Sequence, residues 1–195
     1  MIIDAPELKA LAERQFGLVS HHQITELGFT ALAVRETVHT GRWRRVLPKV
    51  YLTEPGELDL DQQRTAAGLY TAGMGQLTGL AALTWHGLAN LPVHDTLTML
   101  VPHQMRRVPS DFVDVRRTRH LDTRARLAGT YHVCGIARAT ADACRGLTDL
   151  DTVQALIAQV IGVGATTVTG LRVELARAGS SRTRPLRLAL KHFTG

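Results

Sequence analysis

Arg42, Arg44, Arg45 and Lys49 place four cations in eight residues with no carboxylate among them. Cations at this density neutralise phosphates. Each DNA phosphate neutralised releases condensed counterion, so the chemistry on offer is backbone binding to nucleic acid. Just upstream, Arg35, Thr37 and His39 can hydrogen-bond to base edges, with arginine suited to a two-point contact on guanine. Glu36 lies among them and repels phosphate. The whole chain has the same sign: Lys plus Arg is 23, Asp plus Glu is 17, and the net charge is +6. Twenty of the 23 cations are arginine, whose planar fork grips two phosphate oxygens at once. A GC-rich genome writes the same excess, so position has to decide rather than number.

The elements that must hold these residues fall within 1–53. Residues 5–13 carry Leu8, Leu11 and Ala12 at helical spacing after Pro6, and Gly17 ends that helix. Ser20 is an N-cap for a short helix over 21–27 with Ile24 and Leu27 inward, closed by Gly28. Thr30 caps a third helix over 31–40, with Leu32, Val34 and Val38 as its apolar contacts and Arg35, Thr37 and His39 toward solvent. Residues 43–52 are β-rich and interrupted by Pro48, which predicts two short strands around a tight connection. Three helices and a basic hairpin are the parts of a winged helix-turn-helix, with the third helix in the major groove and the hairpin on the backbone. Trp43 and Tyr51 read as core residues, and His21 and His22 as exposed first-turn residues rather than metal ligands. Helix-turn-helix shapes also serve protein contacts, and that alternative stays open.

Residues 54–61 are acidic, with Pro55 and Gly56, and read as a linker into a helix over 58–71. A second domain, 58–195, follows. Thr78 caps a helix ending at Gly87; 96–101 and 112–117 read as strands around a polar loop; 131–136 is a further strand; and Thr140 starts a helix. Residues 102–126 hold seven arginines against three aspartates. Arg106, Arg107, Arg116, Arg117 and Arg119 either extend a positive surface or form the outer face of a sheet. Helices then dominate: one over 152–161 capped by Asp149 or Asp151, one from Thr167 or Thr169, and one over 185–193. The expected fold class is α+β, a winged helix-turn-helix joined to a mixed domain with a helical C-terminal part.

Other chemistries lack their patterns. The glycine-rich 73–79 has no Gly-Lys-Ser/Thr ending and is no P-loop. Gly162-Val163-Gly164 lacks the third glycine of a dinucleotide fingerprint. Cys134 and Cys144 are ten apart, with no partner histidine at zinc spacing, and read as structural thiols. The nine histidines are scattered. No catalytic residue, metal site or cofactor is expected. No apolar run of about 18 residues occurs, so no membrane span is expected. The N-terminus lacks the apolar core of a secretory signal, so the expected compartment is the cytoplasm.

Leu11-Ala12-Glu13-Arg14-Gln15-Phe16-Gly17-Leu18-Val19-Ser20, then Gln23-Ile24, Leu27-Gly28 and Gly41 through Tyr51 (GRWRRVLPKVY), resemble the N-terminal domain of AbiEi-type antitoxins of type IV, abortive-infection toxin–antitoxin systems. Leu80 through Leu88 (LAALTWHGL) extends the likeness more loosely. The resemblance implies a winged-helix domain that binds operator DNA and represses its own operon. It also implies a second domain that counters a nucleotidyltransferase-like toxin. Carried onto this chain, the contacts are Arg35 in the recognition helix and Arg42, Arg44, Arg45 and Lys49 in the wing. Many proteins of this architecture continue into an endonuclease-like domain. No Asp…Glu-x-Lys cluster follows Asp151, so nuclease activity is not carried over. The expected protein is thus a DNA-binding autoregulator and antitoxin, no enzyme, for which a homodimer or inverted repeats would add affinity on operator DNA. The alternatives are a protein-interaction module docking a toxin or other partner, and the DNA-targeting part of an endonuclease-like protein.

Overall fold

The computed structural model describes residues 5–54, 56–177 and 182–193. It is an α+β structure, with helices and two sheets. Helix α1 (Pro6–Arg14) starts on a proline whose missing N–H costs nothing in the first turn. It leads into β1 (Leu18–Ser20). Ser20 then caps α2 (His21–Glu26) through a reciprocal box: its hydroxyl accepts from Gln23 N, and the Gln23 side chain accepts from Ser20 N. Thr30 caps α3 (Ala31–His39). Strands β2 (Arg44–Leu47) and β3 (Val50–Leu52) are joined by Pro48 and Lys49 alone. Pro48 pre-sets the first turn position, and Lys49 takes a left-handed backbone at φ 64°. The sheet order is β1-β3-β2, antiparallel throughout.

That sheet is buried on both faces. On one, Val19 joins Leu8, Ala12, Ile24, Ala33, Val34 and Trp43 in a small core under the three helices. On the other, Leu18 and Leu52 belong to the large core, which continues through Ala66, Ala67 and Tyr70 of α4 (Leu60–Tyr70). Asp59 caps α4 by the same reciprocal box, with Gln62. The expected helix 58–71 is therefore present, and it packs against all three strands of the first sheet.

The second sheet runs β6-β5-β4-β8-β7, from β4 (Gln76–Thr78), β5 (Leu97–Pro102), β6 (Val113–Thr118), β7 (Arg126–Ala128) and β8 (Tyr131–Val133). It is mixed: β5 and β6 are parallel, as are β4 and β8, and the other pairs are antiparallel. Helix α5 (Gly79–Trp85) follows β4 directly. Helix α6 begins at Ile136 and ends at Cys144, so it starts a full turn before the expected Thr140. Gly135 in extended conformation supplies its N-cap position, and Thr140 is buried inside it with its hydroxyl bonded to Ile136 O. Helices α7 (Leu150–Gly162), α8 (Val168–Arg177) and α9 (Arg184–His192) pack around α6, with Asp149 capping α7.

Helix α4 passes close to the turn between β7 and β8 at Gly68. A Cβ there would lie 2.6 Å from the carbonyl oxygen of Thr130 and 2.8 Å from its carbon. Backbone cannot step aside as a flexible side chain can. Gly68→Ala is therefore expected to cost about 1–3 kcal/mol despite alanine's better helix propensity. A thermal melt followed by circular dichroism checks it, and an unchanged or raised midpoint would contradict the close approach.

Candidate nucleic-acid interface

On α3 the buried stripe is Ala33, Val34 and Thr37, with Val38 partly buried beside it. Thr37 is thus not on the solvent side as expected. It is buried, and its hydroxyl donates to Ala33 O at 2.8 Å, which removes the cost of burying it. Leu32, expected inward, is 61% exposed. Val34 and Val38 face inward as expected, but the stripe is completed by Ala33 and Thr37, not Leu32: Ala33, Val34, Thr37 and Val38 sit at i, i+1, i+4 and i+5, and place Leu32, Arg35, Glu36 and His39 outside.

Arg35 and His39 lie on the edge of α3 that faces the hairpin. With His21, Arg45 and Tyr51 they line an open groove of about 640 Å³ that has no carboxylate in its walls among the described residues. Arg45 reaches it through the strand register. It pairs across with Tyr51, which pairs across with Val19, so all three share the helix-facing side of the sheet. Tyr51 forms part of the groove wall, its ring centroid 6.4 Å from His21 and 6.2 Å from Trp43. Burial pushes its phenol above the usual value, with Arg45 opposing, so it stays protonated and able to donate at neutral pH. Among the described residues Arg35 and Arg45 have no carboxylate partner.

The remaining wing cations are elsewhere. Arg44 pairs with Leu52, on the opposite face of the sheet, and its guanidinium donates to the carbonyl of Gly56. Arg42 is exposed beyond the end of α3 and does not line the groove. Lys49, at the hairpin tip, lines a separate cleft with Ser20, His21, His22 and Arg107. Of the seven residues singled out for DNA, the structure brings Arg35, His39 and Arg45 together and buries Thr37. Sequence reasoning missed His21 and Tyr51 as groove residues. Nothing local marks them, because their position depends on how α2 and β3 cross α3.

The second sheet carries a different polar cluster. Asp142, 3% exposed, accepts from Thr78 Oγ1 at 2.9 Å and from Arg138 Nε at 2.7 Å. Arg138 also donates to His120 O, and Glu174, 2% exposed, pairs with Arg124 and Arg177. Burial works against the Arg138 charge, but Asp142 and Glu174 outweigh it and hold its pKa above the usual value. Asp122 accepts from Gly135 N and Arg124 N, and its own backbone is held by Gln76. These carboxylates are occupied by fixed donors. Cys134 and Cys144 are buried, and burial pushes both thiols up to about 12, so neither is a thiolate near neutral pH. Among the described residues no group of three or more His, Cys, Asp or Glu is placed to hold a metal ion. No helix among them is long and apolar enough to cross a membrane.

No protein-family model matches the chain, and no curated protein matches it significantly.

Proposed function

We propose that the chain is a DNA-binding transcription regulator of the antitoxin type, acting in the cytoplasm on the operator of its own operon. The observation that carries this reading is the groove in which Arg35, His39, Arg45 and His21 converge with no carboxylate in the walls among the described residues. Support also comes from element order. A helix, a strand, two capped helices and a hairpin, with the first strand beside the last, suit a winged helix-turn-helix. In that arrangement α3 enters the major groove, where Arg35 reaches base edges. Arg45 neutralises a phosphate alongside it. The antitoxin role rests on the sequence resemblance alone, with a nucleotidyltransferase-like toxin as counterpart.

The deciding test is fluorescence anisotropy with the upstream region of its own gene against a shuffled duplex, at two salt concentrations. Tighter binding to the native duplex at both salts is the expected result. Equal binding to both duplexes that collapses with salt would overturn sequence reading and leave only charge. A second reading, a protein-docking module, is favoured by the exposure of Leu32 and Leu27 beside the helix pair. It predicts a partner that stays bound at high salt.

A further inference from the structure

The cleft at the hairpin tip joins two parts of the chain that are distant in sequence. One wall is Ser20, His21 and His22 at the start of α2, with Pro48 and Lys49. The other is the C-terminal end of α4 with Arg107 and Thr130. Its volume is about 630 Å³, and among the described residues no Asp or Glu lines it. His21 is a wall of this cleft and of the α3 groove alike, so the two meet at that residue. His21 Nδ1 is buried and has no hydrogen-bond partner among the described residues.

Arg107 is held in place from one side only. Its Nε donates to Tyr70 O at 2.8 Å, and its guanidinium carbon sits 5.5 Å from the centre of the Tyr70 ring. The Tyr70 hydroxyl in turn donates to Val108 O at 2.9 Å, which pins the loop that carries the arginine. One donor therefore serves the end of α4. The terminal nitrogens have no carboxylate and no hydrogen-bond acceptor among the described residues. A guanidinium with its stem locked and its fork free is suited to a phosphate. Lys49 is likewise without a carboxylate partner among the described residues, and the His22 beside it in the cleft pairs with Glu26 at 3.0 Å.

We propose that the backbone of duplex DNA runs from the α3 groove past His21 into this cleft, where Lys49 and Arg107 each contact a phosphate. The DNA footprint then spans both parts of the chain, and the second part contributes to affinity directly. This rests on the DNA-binding reading above.

The test uses the full chain and the same upstream duplex, measuring affinity against salt. Arg107→Gln and Lys49→Asn are the variants. Asparagine is chosen because it tolerates the left-handed backbone at position 49. Each is expected to bind on the order of tenfold more weakly and to lower the salt slope by about 0.9. The pair together lowers it by about 1.8. Arg107→Lys, which keeps the charge, keeps the slope. Arg106→Gln, the same charge change on a neighbour outside the cleft, leaves the slope at the wild-type value. Should Arg107→Gln melt early, Lys49→Asn decides. Wild-type slopes in both Arg107→Gln and Lys49→Asn, with a lowered slope in Arg45→Ala, would overturn the proposal and leave the parent reading standing. Unchanged slopes in all three would instead remove the parent reading.

Discussion

Arg45→Ala is expected to weaken binding about equally on the native and the shuffled duplex and to lower the salt slope by about one unit. Arg35→Ala is expected to weaken the native duplex alone, by about 1–3 kcal/mol, and so to erase most of the discrimination. The difference follows from where the side chains start. Arg45 leaves an extended strand on the same side of the sheet as α3, at the wall of the groove, where the proposed reading places a backbone phosphate. Arg35 leaves the exposed edge of α3, the element narrow enough to enter the major groove. Arg44→Ala is the internal control. Its guanidinium lies on the opposite face and is engaged by the Gly56 carbonyl, so its loss should leave the slope close to wild type. A slope lowered as much by Arg44→Ala as by Arg45→Ala would mean that the DNA lies on the other face of the hairpin.

The largest stability effect is expected at Asp142. Asp142→Ala leaves the Arg138 guanidinium buried without the carboxylate that accepts from its Nε, and leaves the Thr78 hydroxyl without an acceptor. Removing one member of a buried, hydrogen-bonded ion pair costs about 3–5 kcal/mol. In a chain of this length that corresponds to a midpoint about 6–20 °C lower. Arg138 reaches Asp142 within one helix, but Thr78 comes from β4 and His120 from the segment after β6, so the pair fastens α6 to the sheet. Glu26→Ala supplies the contrast. It removes a pair in which both side chains are more than half exposed, and should change stability by no more than about 1 kcal/mol. Thermal melts of the two variants check this. An Asp142→Ala midpoint within the range of Glu26→Ala would mean that the buried pair is not holding α6.

Helices were the most legible elements, because their signals are local. Ser20, Thr30 and Asp149 each satisfy backbone N–H groups within three residues of themselves, so a cap can be read without knowing what the helix packs on. Thr78, expected as a cap as well, makes no cap bond and gives its hydroxyl to Asp142 instead, a partner 64 residues away. The β2–β3 hairpin was legible for the same reason, since Pro48 marks a turn between neighbours in sequence. The strands β1, β4 and β7 were not. Each is three residues long, too short to display a period of two. Strands β1 and β4 exist because a partner arrives from elsewhere: Leu18 pairs with Leu52, and Gln76 with both Leu100 and His132. Strand β7 pairs only with its sequence neighbour β8, across a turn at Gly129 and Thr130.

The candidate site divides along the same line. From the sequence alone came the density of cations at 42–49, the absence of acids among them, and the helix that carries Arg35 and His39. Charge and capping are properties of a segment, and they survive whatever the segment docks against. Tertiary structure decided which cations act together. It turned Thr37 into the core, sent Arg44 and Arg45 to opposite faces of one strand, and brought Arg107 to Lys49 across more than fifty residues of chain. Those outcomes depend on a strand register and on the seating of α4 against the first sheet. Both are set by long-range packing of apolar side chains, which no short window of residues encodes.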